Sequence, residues 1–165
     1  MKTVEDLWAA FAGESQANRK YLAYAKKADR EGYAAVARLF RAVAAAETVH
    51  AHNHFRALGE IKSTAENLEA AIGGEHYEVS EMYPEFIADA EADEHAKANR
   101  SFTWAMEVEK IHEKLYKAAL ESLSKETTVA KYWVCGTCGH THVGDEAPEK
   151  CPICGAKASG YISIE

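Results

Sequence analysis

The chain has 165 residues, 47% of them hydrophobic and 27% charged, with only 3 prolines. That is enough apolar surface for one compact domain carrying a small appendage. A formal net charge of −7 excludes a nucleic-acid partner from the expectations, because phosphate neutralisation needs a basic face. No run approaches the ~18 apolar residues that a membrane span requires. The opening Met1-Lys2-Thr3-Val4-Glu5-Asp6 lacks an apolar core, so no export signal is expected and the reading is a cytoplasmic protein with no membrane partner.

In chain order, a first helix is predicted over residues 3–31, with Thr3 and Asp6 as an approximate capping box and Gly32 as a left-handed C-terminal cap. A second follows over residues 33–58 and closes at Gly59. Ser63 with Glu66 makes a fuller capping box for the third helix. Gly73-Gly74 and Pro84 predict irregularity or a kink there, since Pro84 has no backbone N–H to donate. The fourth helix is expected from about Asp93 to about Ser122–Ser124. Residues 125–131 are polar and β-branched and read as a linker. Beyond them, Tyr132-Trp133-Val134, four cysteines, several glycines and Tyr161-Ile162-Ser163-Ile164 read as a small β-rich knot. A knot of that size cannot bury enough surface to fold without a metal. The fold class is therefore mainly α, a four-helix domain over residues 1–126 followed by a small module over residues 131–165.

Two Glu-x-x-His pairs, Glu47/His50 and Glu109/His112, fall in helical stretches. A spacing of three puts both side chains on one helix face, where they can grip one ion. Glu14, Glu75 and Glu78 add carboxylates. Two Glu helices and two Glu-x-x-His helices are the ligand pattern of ferritin-like di-iron bundles. Glu14 and Glu47 are 33 residues apart and Glu75 and Glu109 are 34 apart, so the chain reads as two copies of one helical hairpin. Glu78 has no counterpart in the first copy. Carboxylates with one imidazole per ion suit iron or manganese better than zinc or copper. His52, His54, His76 and His95 read as structural or solvent-facing, with His54 placed to support the site. Tyr21 and Tyr83 fall on the site-facing sides of their helices.

All 4 cysteines lie in two matching loops, Cys135-Gly136-Thr137-Cys138-Gly139 and Cys151-Pro152-Ile153-Cys154-Gly155. In a chain with no export signal these read as a metal knot, not disulfides. A glycine after the second cysteine lets the backbone turn under the sulfur. Four thiolates so arranged bind one tetrahedral ion, and spacing alone leaves iron and zinc both open.

End to end, the chain resembles the rubrerythrin family. The resemblance rests on Ala12-Gly13-Glu14-Ser15, Ala46-Glu47-Thr48-Val49-His50, Gly74-Glu75-His76-Tyr77-Glu78, Glu81-Met82-Tyr83-Pro84, Glu109-Lys110-Ile111-His112 and two knuckles in rubredoxin spacing. It implies a ferritin-like bundle with a rubredoxin-like module, two iron ions in a di-iron site and one iron in a four-cysteine site per chain. By the same resemblance the di-iron ligands are Glu14, Glu47, Glu75, Glu78, Glu109 and His112, and His50 competes with Glu78 for one iron as the redox state changes. Cys135, Cys138, Cys151 and Cys154 would hold the rubredoxin-type iron. His140 departs from the family, which usually has an aromatic residue there.

The expected activity is reduction of hydrogen peroxide to water in oxidative-stress defence. Electrons would enter through the four-cysteine centre from rubredoxin or an NAD(P)H–rubredoxin reductase. The alternative is a ferroxidase or iron-storage protein with a structural zinc ribbon. Ferritin-like bundles run their second and third helices parallel, and residues 60–64 are too short to cross such a bundle. The expectation is therefore a domain-swapped homodimer, with a plain up-down-up-down bundle as the other solution.

Overall fold

A computed structural model describes residues 1–124 and 130–164. The chain divides into two compact units, Met1–Lys62 and Ser63–Glu165.

The first unit is a helical hairpin, α1 (Lys2–Arg30) and α2 (Ala34–Leu58). Gly32 and Gly59 adopt φ of 84° and 76°; the left-handed region is cheap for a residue without Cβ, and it ends each helix where the sequence predicts. The N-terminal expectation fails. Met1 is the N-cap and no side chain caps α1, because Asp6 pairs instead with Lys2 at 3.0 Å. The helices run antiparallel: Phe11 stacks on Phe55 at one end, and Tyr24 meets Phe40 edge-on at the other. Alanines make the buried seam, with Ala25, Ala37 and Ala44 at most 1% exposed. Small side chains let the two backbones approach closely, while Leu39 stays 63% and Val49 56% exposed.

The second unit begins with α3 (Thr64–Tyr77), whose Ser63–Glu66 capping box forms as predicted. The expected irregularity is a π-helical turn over Glu78–Met82, continued by α4 (Tyr83–Ala92) with Pro84 in its first turn. Tyr83 N–H reaches back to Glu78 O, five residues away. The wider turn takes up the proline ring, which would meet the preceding turn's carbonyl in a tighter helix. Asp93 closes α4, and α5 spans Ala96–Ser122 with the His95 side chain accepting from Ala98 N–H. The fourth helix thus starts three residues later than expected, after Glu94 turns left-handed at φ 52°. Tyr83 and Phe86 pack on Phe102, which sets α4 against α5.

The C-terminal module is an antiparallel sheet in the order β2-β1-β3, formed by β1 (Tyr132–Cys135), β2 (Thr141–Val143) and β3 (Tyr161–Ile164). Val134 pairs with Thr141 and Cys135 with Tyr161. Its core is Cys135, Cys151 and Tyr161, with Trp133 packed alongside. Most of the predicted linker, residues 125–129, lies outside the described residues.

Candidate metal centres

In the first unit Glu14 on α1 and Glu47 and His50 on α2 bring one ligand atom each within 4.8 Å of one another. His50 Nδ1 is 2.8 Å from Glu47 Oε2 and 3.9 Å from Glu14 Oε1. Asn18, one turn beyond Glu14, donates to Ala44 O at 2.7 Å and to Thr48 Oγ1 at 2.8 Å. Being 7% exposed, it pins the register of the two helices beside the ligands. Sequence reasoning passed over it, because nothing in a polar residue's spacing tells a buried clamp from a solvated side chain.

The second unit repeats the arrangement. Glu75 on α3 and Glu109 and His112 on α5 form a second group within the same 4.8 Å limit. His112 Nδ1 is 2.6 Å from Glu109 Oε2 and 4.0 Å from Glu75 Oε1. In both groups the imidazole therefore offers Nδ1 to one near and one farther carboxylate. His112 Nε2 lies 2.8 Å from Thr141 Oγ1, and Thr141 in turn donates to Gly139 O at 3.2 Å. That support also escaped the sequence reading, since it joins residues 29 positions apart in different kinds of structure.

In the second group the carboxylates are crowded together and partly buried. Burial, then the charge of Glu109, pushes the Glu75 carboxyl up to about 7. One carboxylate oxygen of Glu75 lies within 4.8 Å of one of Glu109. Glu78, at the start of the π turn, stands outside the tight group, yet burial and then Glu109 raise its carboxyl as well. His112 is raised, first by its hydrogen bond to Glu109 and against the effect of burial. Tyr83 is raised by burial and then by the charges of Glu78, Glu109 and Glu75. Crowded half-buried carboxylates of this kind call for a hard cation.

The other tyrosine and the remaining histidines have separate settings. Tyr21 packs with Tyr24 and Phe40. His76 pairs with Glu113 at 3.2 Å, and His95 serves as a helix cap. His52 is exposed and His54 half-buried, and neither joins a ligand group among the described residues.

Cys135, Cys138, Cys151 and Cys154 converge as one group. Gly139 and Gly155, at φ 85° and 77°, turn each knuckle so that their N–H groups bond Cys135 O at 2.9 Å and Cys151 O at 3.0 Å. The sulfurs of Cys135 and Cys154 are 3.7 Å apart and those of Cys138 and Cys151 3.6 Å. A tetrahedral ion with metal–sulfur bonds of about 2.3 Å needs sulfur–sulfur edges of about 3.8 Å, so the four thiols fit such an ion. Burial pushes the Cys138 thiol up. Burial also opposes ionisation of Cys151, but N–H donors from Cys154 and Ile153 and the Tyr161 hydroxyl outweigh it and bring that thiol down to about 6. His140, where the family usually has an aromatic residue, is buried at 6% exposed.

The rubrerythrin family model matches residues 5–120, and the model of the rubrerythrin rubredoxin-like domain matches residues 133–161. Rubrerythrin-2 of Clostridium acetobutylicum is 37% identical, over 96% of this chain and 95% of its own length. Nigerythrin of Nitratidesulfovibrio vulgaris is 39% identical, over 92% of this chain and 81% of its own. Solved structures of nigerythrin in mixed-valence and all-ferrous states align with a TM-score of 0.59 and 37% identity, covering 98% of this chain and 86% of theirs. Matched by the family model over residues 5–120 and by the rubredoxin-like model over residues 133–161, and 37% identical to a rubrerythrin over nearly its whole length, the chain belongs to the rubrerythrin family.

Proposed function

We propose that the protein is a non-haem di-iron peroxidase that reduces hydrogen peroxide to water, in the cytoplasm, as part of oxidative-stress defence. The supporting observation is the pairing, in one chain, of carboxylate–histidine groups with a four-sulfur site of metal-binding dimensions. Peroxide reduction consumes two electrons and two protons and yields two waters; when bound, a pair of ferrous ions supplies one electron each. A storage protein has no use for a fused one-electron carrier. Residues 1–126 form the peroxide-reducing domain in this reading, and residues 131–165 the electron-entry domain, served by rubredoxin or an NAD(P)H–rubredoxin reductase.

The ligand assignment follows the same reading. Glu14, Glu47, Glu75, Glu78, Glu109 and His112 hold the two irons, and Cys135, Cys138, Cys151 and Cys154 hold the third. Glu78 and His50 exchange at one iron, since a ferric ion favours the hard carboxylate and a ferrous ion accepts the neutral imidazole. The placement of Glu78 on a π turn supports a functional role for it, because single π turns inside helices are frequent at functional sites.

Assembly is part of the reading. α2 has 25 residues and is about 38 Å long, whereas residues 59–63 span at most ~18 Å. A ferritin-like bundle, with parallel second and third helices, cannot be closed by that connection within one chain. We take the functional unit to be a swapped homodimer, each di-iron site combining Glu14, Glu47 and His50 of one chain with Glu75, Glu78, Glu109 and His112 of the other. The large exposed side chains of the first hairpin, Leu39 and Val49 among them, suit a surface that is covered on dimerisation. Rapid mixing of the diferrous protein with peroxide and, separately, with dioxygen tests the activity. Peroxide is expected to react the faster, and a much faster reaction with dioxygen would favour ferroxidase chemistry.

A further inference from the structure

The two units divide the chain's charge unequally. Residues 1–62 carry 10 lysines and arginines against 7 aspartates and glutamates, whereas residues 63–165 carry 9 against 19. The first unit is thus formally +3 and the second −10. The metal ligands do not create this division. Setting aside Glu14 and Glu47 in the first unit, and Glu75, Glu78 and Glu109 in the second, leaves +5 and −7.

The cations of the first unit are gathered and unpaired. Arg19 and Lys26, on the side of α1 that helix periodicity turns away from Glu14, line a groove with Arg41 of α2. Arg41 is held by Asp29 at 2.7 Å. Arg19, Lys26 and Arg38 are exposed, and none has an ion-pair partner among the described residues. In the second unit negative charge is densest around α4, where residues 78–96 hold seven carboxylates and no lysine or arginine. Glu81, Glu85 and Asp89 follow one another at one-turn spacing, exposed and likewise without ion pairs among the described residues.

In the swapped assembly the di-iron site needs both units. Bringing Glu14 and Glu47 up to Glu75, Glu78 and Glu109 sets like charges against each other until metal enters, and a positively charged first unit offsets that repulsion. We propose that the cationic first unit docks on the acidic second unit of another copy of this chain, and that this attraction steers the cross-chain pairing that completes the di-iron site. The inference rests on the swapped homodimer proposed as the functional unit. Two first units repel each other, as do two second units, so only the unlike encounter is attractive. A two-fold dimer makes both unlike contacts at once. Charges more than ~8–10 Å apart are screened near physiological salt, so the effect lies in the rate and orientation of encounter more than in the final affinity.

The test is the second-order rate of dimer formation when the full chain is diluted from urea into ferrous iron, without air, at low and at high salt. The parent is expected to associate at least about tenfold faster at low salt. Lys26→Glu with Arg38→Glu, which turns the first unit's net charge negative, is expected to lose that acceleration and to match the parent at high salt. Lys26→Gln with Arg38→Gln is expected to fall between them. Far-UV circular dichroism checks that the variants fold, and the parental salt dependence stands without them. A parental rate that ignores salt, or a charge-reversed variant as fast as the parent at low salt, overturns the steering. Slowing by inorganic phosphate at constant ionic strength would assign the cations to a small anion and overturn it as well. A chain that stays monomeric would overturn the assembly reading and this inference with it, whereas a dimer that forms at a salt-insensitive rate defeats the inference alone.

Discussion

Thr141 Oγ1 lies 2.8 Å from Nε2 of His112, so a strand of the sheet module holds an imidazole whose other nitrogen faces the carboxylates of the helical site. A metal-binding histidine needs its far nitrogen engaged to fix tautomer and ring orientation. Thr141→Val keeps the shape and removes the acceptor. Iron affinity at that half of the site is expected to fall about 10- to 100-fold, with the four-cysteine iron unaffected. Titration of both metals in one preparation checks this, and unchanged affinity would remove Thr141 from the site.

In the proposed ligand set, Glu78 is the carboxylate without a counterpart in the first hairpin. Glu78→Ala is expected to keep two irons per helical site and to slow peroxide turnover by at least about tenfold. Iron content and steady-state peroxidase rate, measured together, decide it. A variant that turns over at the parental rate would end the proposed exchange between Glu78 and His50.

The Glu75 carboxyl, raised from 4.5 to about 7, ties stability to pH in the metal-free chain. A folded-state pKa above the unfolded value means that folding favours the protonated form. The contribution is fully present below 4.5 and lost as pH rises through about 7. Metal-free parent and Glu75→Gln should therefore match near pH 4.5, with the variant gaining on the parent up to about pH 8. Thermal unfolding of the two across that range is the measurement, and a pH-independent gap would contradict the assignment.

Much of this was legible in the sequence because it depends on local chemistry. Gly32 and Gly59 end helices since only they take left-handed backbone cheaply, and Ser63–Glu66 caps a helix through a contact three residues long. Glu47/His50 and Glu109/His112 converge because helix periodicity places them. The misses are those that need a third dimension. Asp6 turns to Lys2 and not to a capping role. The π turn at Glu78–Met82 was foreseen only as irregularity, because a proline says that the ladder breaks and not how it is mended. Asn18, Thr141 and the His140–Tyr161 bond join residues far apart in sequence, and no periodicity carries that information.

The swapped assembly predicts complementation. Glu14→Ala and Glu109→Ala chains should each be inactive alone. Unfolded together and refolded, their heterodimers should carry one site missing both ligands and one intact site, restoring up to about a quarter of parental activity, since half the chains pair as heterodimers with one good site of two. No recovery after efficient refolding would mean that each chain builds its own site.

The central claim is that electrons stored at the four-cysteine iron reach peroxide through the helical site. The direct measurement is anaerobic mixing of the fully reduced native protein with limiting peroxide, counting peroxide lost against electrons withdrawn and following the colour of the sulfur-bound iron. The account predicts two electrons withdrawn per peroxide, return of the oxidised colour within the time of turnover, and slower oxidation by dioxygen under the same conditions. Peroxide beyond one per di-iron site left unconsumed while the sulfur-bound iron stays reduced, or faster oxidation by dioxygen, would contradict it.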